Sequence, residues 1–288
     1  MQVDPGLVYA RKHHKKMLLY CFDLWPVSLT AGGFSETSLP YKWMSAVSKR
    51  IYKQADRIAV TSPLFDEYFS SSLGIEREAS AYLPQYADDA FSDCARCPCE
   101  GYDPAKTNLT FAGNVGQAQS VLTIVEAASI LQKESNLVFH VVGSGSRLEQ
   151  CKARATELGL NNIVFHGRKP IEDMPRYYGA SDAMIVTFED SPMATYTLPR
   201  KVTTYMAAGK PILAALSGET KRVIDDAKCG FCCDIEDAEG LARIASQFAG
   251  LSNTGQLGNN AKAYYERYFT KKLFFDKLEI LLTQLVED

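Results

Sequence analysis

The 288-residue sequence has no apolar run approaching the ~18–20 residues that a membrane span needs. Its opening stretch, Met1 to Lys16, lacks the apolar core of a secretory signal. It also lacks an excess of one charge: 31 Lys plus Arg face 34 Asp plus Glu, a net charge of −3. Nucleic acid is therefore not expected as the main partner, and any basic patch must be local. Internal repeats, low-complexity tracts, a nucleophile elbow and a metal-binding helix motif are all missing. What is there is 46% hydrophobic and 23% charged, the balance of a globular protein with room for about two domains.

Cysteine is not scarce. Eight stand at positions 21, 94, 97, 99, 151, 229, 232 and 233. Cys21 falls in an apolar strand and Cys151 on a helix, as buried free thiols do. Without a secretory leader they read as reduced thiols of a cytoplasmic protein. Cys94-x-x-Cys97-x-Cys99 hints at zinc, but no clear fourth ligand lies near it in sequence. A loop with free thiols is the reading, and no metal site is expected.

Strand-like and helix-like segments alternate. Strands are expected at Met17 to Phe22, Arg57 to Thr61 and Ala79 to Leu83, with helices at Tyr41 to Gln54 and Ser62 to Ser72. From Ala87 to Thr107 the pattern fails, and Asp, Ser, Cys, Pro and Gly take over as in a linker. Beyond it, strands are expected at Asn108 to Ala112, Leu137 to Val142, Ile163 to His166 and Ala183 to Phe188, and an apolar run begins at Pro211. Helices are expected at Gln119 to Gln132, Leu148 to Leu158, Ile171 to Tyr178, Thr220 to Asp226 and Ala238 to Phe248. Nearly all these strands are apolar throughout, so both faces are covered. That alternation predicts an α/β fold with parallel, doubly wound sheets, whose ligands bind beyond the carboxyl ends of the strands. The last segment, Leu257 to Val286, reads as a helix with a wide apolar face that needs a partner surface, by default the first domain.

The strand-end rule selects the residues to weigh. Thr195 to Leu216, TYTLPRKVTTYMAAGKPILAAL, reads as a polar loop, a short helix and a buried strand. Pro199 presets a helix start, and Arg200 and Lys201 put cations where unpaired helical N–H groups point. The segment is either a diphosphate clamp or an ordinary helix–strand turn with surface cations. Phe111-Ala112-Gly113-Asn114-Val115-Gly116 ends one strand and Val142-Gly143-Ser144-Gly145 another. Glycine allows close approach to a ligand there, although neither stretch is a G-x-G-x-x-G fingerprint. Phe165-His166-Gly167-Arg168 ends a third; Arg168 is placed to meet a ligand, while His166 suits a structural role. The fourth ends in a loop with Met193, Thr195 and Thr197. Singly these signals are weak; four converging on one crevice make a nucleotide-sized site. Asp23, directly after the first strand, either accepts a hydrogen bond from a substrate hydroxyl or caps a turn. The run Arg11-Lys12-His13-His14-Lys15-Lys16 reads as a solvated helix end or as a patch facing phospholipid.

Strand–FAGN, VVGSG, VFHGR, EDMPRYYGASDAMIV and LPRKVTTYMAAGKPIL, in this order and spacing, resemble the C-terminal half of the family 4 retaining glycosyltransferases of the GT-B architecture. DLWPVS and YLPQYAD resemble the later N-terminal half in the branch that builds bacterial capsular, exopolysaccharide and O-antigen chains. The resemblance implies two Rossmann-like domains, the first incomplete. Residues 1–90 would be the partial acceptor-side domain, 91–107 a linker, 108–256 the nucleotide-sugar domain and 257–288 a helix returning to the first domain. Met1 would fall part-way through the usual first domain, with about a hundred residues absent before it. It implies Arg168 by the nucleoside base and Gly113, Asn114 and Gly116 under the diphosphate, the Gly143–Gly145 turn beside them. Lys201, Arg200 and the N–H groups after Pro199 would meet the charge, with Met193 to Thr197 lining the sugar pocket. Asp23 would stand where many members touch the transferred sugar.

Two features depart from the family's pattern. Tyr196 and Thr204 occupy the places of a Glu…Glu pair, and GNVGQAQS lacks the phosphate-binding Arg and Lys of many members. The implied activity is hexosyl or N-acetylhexosaminyl transfer from a nucleotide-diphosphate sugar, UDP-linked, to a glycan or polyprenyl-linked acceptor, without a metal or other cofactor. The alternatives are a nucleotide-sugar-binding subunit or remnant that needs a separate chain for the missing strands, and a UDP-N-acetylglucosamine epimerase of the same architecture. The implied setting is the cytoplasm, with peripheral contact at the inner face of the membrane.

Overall fold

A computed structural model of the chain describes residues 3–76, 80–92, 94–134 and 136–287. It divides into two compact units. The first holds Met1–Gln85, Ser191–Leu198 and Lys271–Asp288; the second holds Tyr86–Asp190 and Pro199–Thr270.

The first unit carries a parallel sheet of three strands in the order β1 (Leu18–Cys21), β2 (Arg57–Val60), β3 (Ala81–Tyr82). Leu18 pairs with Arg57 and Ala59 with Ala81. The expected start of the third strand, Ala79, lies outside the described residues. A helix that periodicity did not announce, α1 (Asp4–Lys12), precedes the sheet; Pro5 sits in its first turn, where its missing N–H costs nothing. α2 (Leu39–Gln54) starts at Ser38, whose hydroxyl accepts from the Tyr41 N–H, and buries Ser48, Ile51 and Tyr52. α3 (Phe65–Ser71) buries Phe65, Tyr68 and Phe69 against Leu24, Val27, Ile58 and Val60.

The second unit is a six-stranded parallel sheet. Its strands are β4 (Thr107–Ala112), β5 (Leu137–Val142), β6 (Ile163–Gly167), β7 (Ala183–Thr187), β8 (Ile212–Ala215) and β9 (Gly230–Cys233), in the order β6-β5-β4-β7-β8-β9. β5, β7 and β8 are buried along their whole length, as the continuous apolar runs require. α4 (Val121–Ile130), α5 (Leu148–Glu157) and α10 (Ala238–Ala249) pack into one core with Phe111, Phe139, Ile185 and Leu213. The strand order reverses between β4 and β7, which makes their carboxyl ends the place where such a sheet opens a crevice. Both units are Rossmann-like α/β layers with parallel strands, as the sequence led us to expect.

The division of the chain differs from the sequence expectation at three places. Residues 86–107 belong to the second unit, because Phe91 packs on Tyr178 (ring centroids 5.1 Å apart) and Tyr102 stacks on His140 at 3.8 Å. A loop with such aromatic anchors is not a free linker. Ser191–Leu198 belongs to the first unit, where Met193 and Tyr196 pack against its core and Tyr196 meets Tyr68 edge-on at 5.5 Å. The last segment is two helices, α11 (Gly255–Tyr268) in the second unit and α12 (Lys271–Glu287) in the first. Phe269, 2% exposed, sits at the break. On α12 the covered stripe runs through Phe274, Leu278, Leu281 and Leu285, and Phe274 lies 5.7 Å from Tyr20. Phe275, Ile280 and Leu282 point the other way and are exposed, so the apolar face is narrower than its composition suggests. No helix among the described residues is long and apolar enough to cross a membrane.

Candidate functional site

A cavity of ≈ 640 Å³ opens in the second unit, and Ala112, Gly113, Asn114, Val142, Gly143 and Ser144 from the ends of β4 and β5 line it. Lys201 enters it from α8 (Arg200–Ala207). Pro199 starts α8 with an extended backbone and offers no side chain to cap its first turn. Val202 N–H donates to Pro199 O at 2.9 Å, which leaves the N–H groups of Arg200 and Lys201 to face a ligand, and the helix dipole adds partial positive charge there.

The Lys201 ammonium is the unusual group. Its Nζ is shielded from solvent yet has no hydrogen-bond partner among the described residues. The Phe111 ring, with its centroid 4.4 Å away, is a favourable neighbour. Desolvation pulls its pKa down from 10.5 to about 8. A buried ammonium left unpaired is costly, and an anion on its open side would remove the cost.

The floor beneath Lys201 is backbone. A Cβ added to Gly113, where φ is +146°, would stand 3.1 Å from the Lys201 Nζ. At Gly143, with φ of +150°, an added Cβ would lie 1.8 Å from the Gly113 carbonyl oxygen, so no side chain fits. The turns are laced together: Gly113 N–H donates to Val142 O, and Gly143 N–H donates to Gly167 O, both at 2.9 Å. Tyr205, one helical turn after Lys201 and wholly buried, locks α8 to β4. Its hydroxyl donates to Ala112 O at 2.9 Å and accepts from Ala112 N–H at 3.3 Å.

Arg168, Lys169 and Arg200 also line the cavity, so with Lys201 they set four cations against one carboxylate, Asp88. An apolar side is made by Phe91, Ile171, Met174 and Tyr178. Behind Arg168 lies a polar row: His166 Nε2 is 3.0 Å from His140 Nδ1, and His140 Nε2 is 3.0 Å from Asn108 Oδ1. Burial lowers the pKa of both rings, that of His140 to about 3. His166 therefore has the structural role that its position suggested.

Of the residues selected from sequence, Gly113, Asn114, Gly143, Arg168, Arg200 and Lys201 line this one cavity. Gly116 and Gly145 do not line it. An added Cβ would stand 2.6 Å from Asn114 Nδ2 at Gly116 and 2.4 Å from Val115 O at Gly145, so both serve loop packing. The Asn114 amide itself donates to Gln119 at 3.2 Å, within the stretch that carries no cation. Thr204 lines the cavity and its hydroxyl donates to Arg200 O at 3.0 Å. Met193, Thr195 and Thr197 belong to the first unit; α7 (Pro192–Tyr196) starts on the Ser191 side chain, and the Thr197 hydroxyl donates to Met193 O. Asp23 also lies in the first unit, beside an apolar cavity of ≈ 480 Å³ lined by Tyr20, Trp25 and Tyr52, and burial raises its pKa. Asp88, Phe91 and Lys169 were not singled out from sequence. The first two sat in or beside an irregular stretch; Lys169 adjoined a residue already chosen. Among the described residues no three His, Cys, Asp or Glu side chains are placed to share a metal ion.

A cationic cavity at the switch point of a parallel sheet defines an α/β domain built to hold an anionic ligand. Residues 101–263 match the family model described as glycosyl transferases group 1, and the chain belongs to that family. It is a glycosyltransferase of the GT-B architecture. Over 283 residues it is 24% identical to the probable glycosyltransferase WbjE of Pseudomonas aeruginosa, covering 95% of this chain and 69% of WbjE. It is 30% identical over 125 residues to the putative colanic acid biosynthesis glycosyl transferase WcaI of Escherichia coli, covering 43% of this chain and 30% of WcaI. Anabaena HepE, solved in complex with UDP and glucose, superposes with a TM-score of 0.78 at 16% identity, over 96% of this chain and 74% of HepE.

Proposed function

We propose that this chain moves a hexosyl or N-acetylhexosaminyl group from a UDP-linked sugar to a glycan or polyprenyl-linked acceptor, with retention, in surface polysaccharide synthesis. The single observation that carries this reading is the buried, unpaired Lys201 ammonium over the Gly113 turn. As the bond from the anomeric carbon to the diphosphate oxygen breaks, negative charge grows on the leaving group. Lys201, Arg200 and the first N–H groups of α8 would stabilise it, with Arg168 by the base. These cations supply the charge without a metal ion. The acceptor hydroxyl forms the new bond from the same face and gives its proton late, to the departing phosphate. Asp23 is assigned to a substrate hydroxyl. The UDP complex of HepE supports the nucleotide, and the colanic acid name of WcaI supports the polysaccharide setting. We place the reaction in the cytoplasm, with the exposed basic run Arg11 to Lys16 suited to peripheral contact at the membrane.

Lys201→Ala tests this directly. Turnover with UDP-sugars and an acceptor extract should fall ~10²–10³-fold, with stability preserved or raised. Near-normal turnover in this variant refutes the assignment. UDP binding without transfer by the wild-type chain points to a subunit that acts with a separate chain; UDP release without an acceptor points to an epimerase.

A further inference from the structure

We propose that Asp88 is the carboxylate that recognises the ribose diol of the bound nucleotide, an assignment that rests on the nucleotide-sugar reading of this cavity. Lysine and arginine carry only hydrogen-bond donors, which suits a diphosphate but offers nothing to a sugar hydroxyl that must donate. The Arg168, Lys169, Arg200 and Lys201 side chains therefore supply no acceptor to the two ribose O–H groups. On α8, the residue that faces the cavity beyond Lys201 is Thr204, and its hydroxyl hydrogen is committed to Arg200 O. Asp88 is the one carboxylate in the lining among the described residues, and carboxylate oxygens have lone pairs enough to take the hydroxyls of a cis-diol.

Asp88 is also held in place. Its Oδ1 accepts the Ala90 N–H at 3.0 Å and so caps the 3₁₀ turn Asp89–Phe91. That turn sets Phe91 against Tyr178 on the apolar side of the cavity. On the preceding residue, the Ala87 N–H donates to the Tyr265 hydroxyl at 3.2 Å. Oδ2 makes no hydrogen bond among the described residues. A capped carboxylate with one uncommitted oxygen shares this lining with Phe91, Tyr178 and four cations, which is the set of groups that a base, a ribose and a diphosphate would call on.

Calorimetric titration with UDP and 2′-deoxy-UDP tests this, with inorganic pyrophosphate as the control and GDP with 2′-deoxy-GDP if the wild type prefers guanine. Asp88→Asn is the variant, since asparagine caps a turn as well as aspartate does. The wild type should prefer the ribonucleotide by about 10–100-fold, the worth of a hydrogen bond to a charged acceptor. The variant should shrink that preference severalfold or more and leave pyrophosphate binding within about twofold. A variant that keeps the wild-type preference overturns the assignment. So does one that weakens both nucleotides equally, since that is what a purely electrostatic or structural role would give. A wild type that binds neither UDP nor GDP overturns the nucleotide reading itself, and this assignment with it.

Discussion

Lys201→Met should make the ligand-free protein more stable at neutral pH while removing its affinity for a diphosphate. Methionine keeps the apolar stem on Phe111 and drops the charge. The fall from 10.5 to about 8 sets the scale. At about 1.4 kcal/mol per tenfold change in proton affinity, it bounds the cost of burying this charge at about 3 kcal/mol. The Phe111 ring returns about 0.5–2 kcal/mol of that, so a gain of about 1–2 kcal/mol is expected on substitution. The sign follows from proton binding. The folded group has the lower pKa, so between about pH 8 and 10.5 the unfolded chain holds more protons and wild-type stability rises with pH. Below pH 8 the cost is fully present; above 10.5 it is gone. Urea midpoints for both proteins at pH 7 and at pH 9.5 read this out, with the gap between them narrowing at the higher pH. UDP should behave in the opposite way. It needs the charged ammonium, so wild-type affinity should weaken by up to tenfold per pH unit above about pH 8, and the variant should show no such slope. A Lys201→Met protein less stable than wild type at pH 7, or a gap that ignores pH, would refute the reasoning.

Tyr205→Phe should cost about 1–3 kcal/mol, because it strips a partner from both polar groups of Ala112 in a buried setting. It should also raise KM for the donor, since the turn under Lys201 loses its tie to α8; a change in stability with unaltered KM would limit Tyr205 to the core. Below pH 6.5 stability should fall by up to about 1.4 kcal/mol per pH unit, because His140 is held neutral in the folded state down to about pH 3 and charges in the unfolded chain. His140→Gln should flatten that acid limb in urea titrations between pH 6.5 and 4.5; an unchanged slope assigns the acid sensitivity elsewhere.

Much of the second unit was legible because its strands are short, apolar and bounded by glycine or proline. β5 and β7 announce themselves in this way, and Pro199 fixes the start of α8 with Lys201 on its first turn. β9 was missed because Gly230-Phe231-Cys232-Cys233 is only four residues long and lacks branched side chains. The break between α11 and α12 was missed because helical periodicity runs through Phe269 undisturbed, and only its burial distinguishes it. Asp88 and Phe91 were invisible for a related reason. A segment pinned by a few aromatics has no period, so sequence reports only its irregularity. The glycines were selected correctly as strand-end turns, but which approach a ligand and which approach another turn is a three-dimensional fact. Gly143 has no side chain because the Gly113 carbonyl stands there.

The polar row behind Arg168 has a direction, and one carboxamide sets it. The Asn108 nitrogen donates to the carbonyls of Asp103 and Lys106, both at 2.9 Å, so its oxygen is turned toward His140. His140 must then carry hydrogen on Nε2 and receive on Nδ1, which obliges His166 to donate from Nε2. Both tautomers follow from a residue one strand away from His140 and two from His166. Within this row an extra proton at acid pH has one ring nitrogen open to it, His166 Nδ1, so the pair takes its charge at His166 before His140.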